Sequence, residues 1–307
     1  MRYATKTKIL INFVDKYSRH PYTYQPVTMK SKYYLLGLPL VALIATACGN
    51  GSASKQGEMS DDINEFTVGQ KFFYADKNYR VDTDYGTVYL QMSTSVQWPD
   101  ELGAYDIAAL QESLIKKAYR DSASTTVKEA IQKYIEDTSI VDGAKDVVAV
   151  DSLPVDSMTY FSNVTANVLD LDEAMVTYQI VGSTFLGGAH PMTGVRPFTY
   201  DFAEGKVLDS SNIFLPEVTN DSVMPIITEA LARQLGVPVS SLEDAGIFVS
   251  QLTYPGRPYI TNNVLYFHYD PYEVGPYSLG NVDVAVYPYE IERFLDPAVK
   301  KLFNPEL

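Results

Sequence analysis

The chain has 307 residues, with 24 basic side chains against 38 acidic ones and a formal net charge of −14. Such a field repels nucleic acid and anionic lipid and draws in cations or basic proteins, and no basic stripe, P-loop, Rossmann glycine pattern or EF-hand loop gives a nucleotide or nucleic-acid function a footing. The single cysteine, Cys48, excludes disulfides within the chain and cysteine-based zinc sites.

In chain order, the first 28 residues are polar and basic and unlike a secretion signal. From Met29 the sequence "MKSKYYLLGLPLVALIATACGNG" has a basic start (Lys30, Lys32), an apolar run (Leu35 to Ile44) and small residues before Cys48. That is the layout of a bacterial signal peptide, and the small residues before cysteine resemble a lipobox. The expectation is a start at Met29, residues 1–47 being a mis-called extension plus a lipoprotein signal peptide, with Cys48 carrying lipid. The apolar run is shorter than the roughly 20 residues a membrane span needs. Residues 48–65, small and polar, read as a flexible tether, and folded sequence is expected from Phe66.

"YGTVYLQMSTSVQW" (85–98) alternates apolar and polar positions, which predicts a half-buried strand ended by Pro99. Two helices follow, one on Ile107, Leu110, Leu114 and Ala118, the next on Val127, Ala130, Ile131, Tyr134 and Ile135; Ser and Thr between Asp121 and Thr126 suit its N-cap. Strands are predicted around Met158 to Val168 and Val176 to Ile180, joined by a turn in "LDLDE". Another holds Phe198, Tyr200 and Phe202 and closes at "AEGK", where Gly205 suits positive φ. A third helix runs from a cap at Asn220 or Asp221 to Gly236, with Pro225 in its first turn. "NVLYFHY", "NVDVAVY" and a short helix "YEIERFL" complete the chain. Strands outnumber helices, and the helices cluster, so the fold class is α+β: largely antiparallel sheets with packed helices, in two subdomains. The division falls near Gly187 to Gly194, giving regions 66–186 and 187–307.

Two stretches invite a functional reading. In "STFLGGAHPMTGVRPF" (183–198), Gly187 and Gly188 permit a sharp reversal and Pro191 pushes His190 toward extended geometry. His190 thus has a definite place, suited to a structural turn, to a ligand contact, or to a mixed His/carboxylate site with His268, Asp270 and Glu273. No G-x-S-x-G elbow supplies a nucleophile. In "FHYDPYEVGPYSLGN" (267–281), Pro271 and Pro276 forbid a regular strand interior. Tyr269, Tyr272 and Tyr277 then either lie displayed on an ordered loop, as in protein and glycan contact surfaces, or fold inward over the sheet end. Asp270 and Glu273 form one of many pairs compatible with glycoside hydrolysis.

These two stretches carry a resemblance. "GGAH", followed by "DFAEGKVL", is similar to the segment joining two domains in the RsiV-like family of bacterial envelope proteins. "FHYDPYEVGPYSLGNVDVAVYPYEIERFL" resembles that family's C-terminal signature. The N-terminal half resembles the PdaC-type accessory domain that precedes the catalytic domain of peptidoglycan deacetylases. The resemblance implies a non-catalytic α+β module, which binds lysozyme in the anti-sigma-factor members. Within these 307 residues no stretch resembles the sigma-binding segment or the deacetylase domain of these relatives. The combined expectation is a lipid-anchored envelope protein at the outer membrane, facing the periplasm, without catalysis, cofactor or metal. It would bind a basic protein such as lysozyme, or peptidoglycan, through Gly187, Gly188, His190, Tyr269, Tyr272, Glu273 and Tyr277. The rival readings are a cell-wall glycan hydrolase using carboxylates near Glu273 and a purely structural lipoprotein.

Overall fold

The computed structural model describes residues 68–155 and 157–303; Cys48 and the stretches expected to form the signal peptide and the tether lie outside them. The described chain is α+β, with a seven-stranded sheet of order β3-β1-β2-β4-β5-β6-β7 and a three-stranded sheet of order β10-β9-β8.

The large sheet begins with a long ribbon, β1 (Val68–Thr83) against β2 (Gly86–Leu102). β2 does not stop at Pro99: it runs on to Leu102, because a register shift at Gly69/Gln70 sets Pro99 opposite Gln70 in an irregular stretch of the ladder, and such bulges tolerate proline. Helices α1 (Ala108–Tyr119) and α2 (Val127–Glu136) follow, then the exposed strand β3 (Ala144–Val150) and β4 (Thr159–Leu171). β2 and β4 form the parallel pair of an otherwise antiparallel sheet, since the helical excursion returns the chain in the same direction. Thr126 caps α2, its hydroxyl accepting from Glu129 N, within the Ser/Thr stretch expected to do so.

β5 (Met175–Phe185) and β6 (Met192–Asp201) form a hairpin, and β7 (Lys206–Val207) closes the edge after the Gly205 turn, where φ is +62°. The β4–β5 turn lies inside "LDLDE". It works without an Asn-Gly signature because Asp172 Oδ1 accepts from the amides of Ala174 and Met175, an Asx-type substitute. The large sheet therefore continues across residues 187–194.

Helix α3 (Asn220–Leu235) is capped one residue earlier than expected, at Thr219, and ends at Gly236 with φ +71°. This places Pro225 sixth in the helix, in the second turn, where its missing N–H leaves Asp221 O without the usual i→i−4 donor. The small sheet is β8 (Arg257–Thr261), β9 (Val264–Tyr269) and β10 (Val282–Val286); α4 (Pro288–Ile291) and α5 (Pro297–Lys300) end the described chain.

Helices α1 and α2 bury Leu110, Leu114, Ala118, Ala130 and Ile131 against Val164, Ala166, Tyr178, Ile180 and Phe198 of the large sheet. Helix α3 buries Val223, Ile227, Ala230 and Leu231 with Ile260, Phe267, Tyr269 and Val284 of the small one. On the other face of the large sheet, opposite α1 and α2, a closed polar ring ties the sheets together. Ile260 N donates to Thr199 Oγ1 at 2.8 Å, the two threonine hydroxyls lie 2.7 Å apart, and Thr177 Oγ1 donates to Ile260 O. Both threonines are fully buried. Thr199→Val keeps the shape and orphans the Ile260 amide, so urea denaturation is expected to register a loss of about 1–3 kcal/mol; an unchanged midpoint would mean the ring contributes nothing.

Candidate binding surface

Gly187 and Gly188 take φ of +90° and +99° at the tip of the β5–β6 hairpin. Gly187 is needed twice over: a Cβ there would also lie 3.2 Å from the Tyr160 hydroxyl. The reversal delivers His190 to the surface. Its ring stacks on Tyr277 at 4.2 Å and 23°, and its Nδ1–H donates to Pro191 O at 3.0 Å. Tyr277 OH donates to the same carbonyl at 2.8 Å, so one oxygen pins two rings from segments far apart in sequence. Tyr272 continues the aromatic row, 5.7 Å from Tyr277, and remains 54% exposed. It sits at φ +73°, its N–H donating to Gly275 O at 3.0 Å. A non-glycine residue held there carries backbone strain, which in folded proteins concentrates at functional sites. Beyond Tyr277, Pro276 borders a shallow depression of 430 Å³ lined also by Phe248, Val249, Ser250 and Gln251.

Beneath this row lies an ionic network that fixes the loop. The ladder sets Arg257 opposite His268 and His268 opposite Asp283. Arg257 forks onto Glu273 with two 3.0 Å bonds and reaches Asp270 Oδ2 at 2.9 Å. Glu273 also accepts from Asp270 N. Asp270 Oδ1 accepts from His268 Nε2 at 3.2 Å and from Val195 N at 3.1 Å, tying the loop to β6. His268 Nδ1 meets Asp283 Oδ1 at 2.7 Å, and Tyr259 OH donates to the same oxygen at 3.1 Å. Burial disfavours the charge of His268, but its hydrogen bonds to Asp270 and Asp283 outweigh that and hold its pKa above the ordinary histidine value. Burial pushes the Asp270 carboxyl up, and His268, Arg257 and the Val195 amide together bring it below its usual value.

Of the residues expected to form a site, Gly187, Gly188, His190, Tyr272 and Tyr277 come together at the surface. Tyr269 does not join them: it is fully buried in the α3 core, its hydroxyl donating to Tyr254 O at 2.8 Å, because strand alternation turns it to the face opposite His268. Glu273 supports the loop from below through Arg257. His190 and His268 share no partner, so the mixed site spanning both histidines does not form. Sequence reading missed Arg257 and Asp283; the alternation of "RPYIT", "YFHY" and "VDVAV" carries the signal, since it sets Arg257, His268 and Asp283 on one face.

Chemically, the arrangement is poor in free reactive groups. Asp270 and Glu273 are both held by one guanidinium, which leaves neither as a general acid or nucleophile for glycoside cleavage. Asp283 and His268 have the spacing of the base and orienter of a nucleophilic triad, yet the far nitrogen of His268 ends on Asp270, and the ring is 1% exposed. His190 bonds only a carbonyl. Among the described residues, no group of three or more His, Cys, Asp or Glu is placed to hold a metal.

Comparison with known proteins adds to this geometry. Residues 211–289, which contain β8, β9, the tyrosine loop and β10, match the model of a family described as protein of unknown function, DUF3298. An esterase of Mycobacterium tuberculosis is 32% identical over 102 residues, which are 33% of this chain and 44% of that protein; the chain thus spans less than half the length of this curated relative. A solved structure of a DUF3298 family member from Bacteroides fragilis superposes with a TM-score of 0.58 at 17% identity, over 76% of this chain and 96% of the other. A second, from Pseudomonas aeruginosa, gives 0.53 at 14% identity over 77% and 98%. The fold is therefore one already seen in that family.

Proposed function

We propose that this protein is a non-catalytic binding module of the cell envelope, anchored by lipid on Cys48 to the outer membrane and facing the periplasm. Its ligand is a lysozyme-like protein or peptidoglycan glycan, engaged through the His190–Tyr277–Tyr272 row. The observation that carries this reading is the row itself: three adjoining rings at the surface, two of them locked to the Pro191 carbonyl, braced by a partly buried ionic network. Rigid tyrosines contribute contact area at small entropic cost, and the formal charge of −14 favours encounter with a basic protein. The DUF3298 match over residues 211–289 includes the tyrosine loop, and the resemblance of "GGAH" and of the 267–295 stretch to the RsiV-like family supports the lysozyme arm.

Calorimetric titration of the chain with lysozyme and with soluble muropeptides tests the proposal. Binding is expected to one of them, and Tyr272→Ala is expected to weaken it by about 2 kcal/mol, the scale of an interface hot spot, at unchanged thermal stability. Silence with both ligands at micromolar protein would contradict it.

A second reading, ester hydrolysis, is favoured by the identity to the mycobacterial esterase. It requires His268 to leave Asp270 and meet a hydroxyl. Turnover of a p-nitrophenyl ester that is abolished by His268→Gln would support it; absence of turnover by the wild-type chain would remove it.

A further inference from the structure

Arg196 and the ground around it stand apart from the aromatic row. On β6, Arg196 lies directly opposite Ile180 of β5, on the sheet face that carries α1 and α2. It is partly buried, yet among the described residues no carboxylate lies within ion-pair distance of its guanidinium, in contrast to Arg80, Arg233 and Arg257. The charges closest to it are mostly of its own sign. Burial first, and then Arg120 and Arg257, lower its pKa, opposed chiefly by Asp270. Lys117 extends the positive ground: its ammonium lies 5.3 Å over the Phe198 ring and carries no ion pair among the described residues, and burial, Lys116 and Arg196 depress its pKa against the pull of Asp209. A half-desolvated guanidinium among like charges is costly unless an anion completes it.

The sheet leaves room for one. The next pair of the β5–β6 ladder on the same face is Gly182 against Gly194. Both project toward the face of Arg196, and two facing glycines leave the sheet bare there. A Cβ on Gly194 would meet nothing within 4 Å, and one on Gly182 would meet only Arg196 Nη2, at 3.4 Å. One further step along, the Ser162 hydroxyl lies 3.0 Å from Tyr134 OH and 3.3 Å from Thr184 Oγ1. An open glycine floor is thus bounded by a guanidinium on one side and a row of hydroxyls on the other.

We propose that the Gly182–Gly194 floor beside Arg196 is a binding site for an anionic oxygen group, a carboxylate or a phosphate, with Arg196 as its principal ligand. The guanidinium fork matches either group in bidentate fashion, while Arg120 and Lys117 supply the surrounding potential. The site does not depend on the aromatic row and stands or falls separately from lysozyme or glycan binding.

Titration at low ionic strength tests it, using as probes inorganic phosphate and a short peptide with a free C-terminal carboxylate, with the same peptide amidated as control. The expected result is saturable binding of phosphate, of the peptide acid, or of both, and none of the amide; the two arms distinguish a phosphate source from a peptide source. Arg196→Gln is expected to weaken binding at least about tenfold without loss of thermal stability. Gly194→Val, which fills the floor while leaving every cation in place, is expected to do the same, and it answers the question even if Arg196→Gln fails to fold. Equal affinity in the wild type and both variants, or no binding of either anion at about ten millimolar, a concentration a single charge-assisted site should reach, overturns the proposal.

Discussion

Gly256→Ala is expected to destabilise the protein by about 3 kcal/mol, the upper range for forcing atoms into a packed interior, and to do so without touching any charged group. The residue sits just before β8, where β9 crosses it. A Cβ there would fall inside contact distance of the His268 carbonyl oxygen and lie 3.0 Å from the His268 carbonyl carbon and from the Tyr269 ring. Two of these obstacles are backbone, which cannot swing aside as a side chain would. Relief requires separating β8 from β9, and that separation would disturb the Arg257–His268 pairing that braces the tyrosine loop. Gly188→Ala provides the contrast. No atom lies within 4 Å of its Cβ position, so the cost there is the backbone penalty at φ +99°, about 1 kcal/mol. Urea denaturation of the two variants should rank Gly256→Ala well below Gly188→Ala; the reverse order would mean that β9 does not lie against Gly256.

The second large effect is expected at His268. Replacing it with glutamine removes the buried imidazole that bridges Asp270 and Asp283. Breaking such a network by removing one partner costs several kcal/mol in a dry interior; the carboxylates are 30% and 38% exposed, and water reaching them reduces the figure to about 2–3 kcal/mol. The sign of the pH dependence follows from the raised pKa. The folded state holds the proton more tightly than the unfolded chain, whose value is near 6.5. The stabilisation from His268 is therefore fully present below pH 6.5 and declines as pH rises through the folded value. Asp270 runs the other way. Its folded pKa is lowered from 3.8, so its contribution holds above that pH and is lost as the medium is acidified through the folded value. The gap in stability between wild type and His268→Gln should be widest at mildly acidic pH and close on the alkaline side. A gap independent of pH between 5 and 9 would mean that folding leaves the pKa of His268 unshifted.

Much of the fold was legible because its long elements obey one period each. The stripe of Val223, Ile227, Ala230 and Leu231 predicts α3, and the alternation of Leu90, Met92, Val96 and Trp98 predicts β2. What escaped was sequence whose burial is decided elsewhere. β1 mixes exposed Phe72 and Tyr74 with half-buried positions, so its apolar residues fall on both faces and blur the alternation. β3 is exposed along nearly its whole length and has no buried face to write a pattern. β8 is five residues long and contains Pro258, which argues against a strand until the pairing with β9 is seen.

The candidate site was legible in part and for the same reason. The turn chemistry of Gly187, Gly188 and Pro191 fixes His190 locally, and the two prolines of the 267–281 stretch fix a loop. That these meet is a long-range fact, made by Tyr277 OH on Pro191 O and by Asp270 on Val195 N, and no local pattern encodes it. Tyr269 illustrates the limit. Composition groups it with Tyr272 and Tyr277, whereas its strand parity sends it to the core.

The central claim is that the hairpin tip and the tyrosine loop act as one recognition surface and carry out no chemistry. Hydrogen exchange of the full chain, followed with and without lysozyme and with and without muropeptides, tests it most directly. The account predicts added protection confined to residues 186–194 and 270–280 with one of these ligands, lost in Tyr277→Ala. Protection elsewhere with those two segments unchanged would contradict it, as would ligand turnover during the measurement.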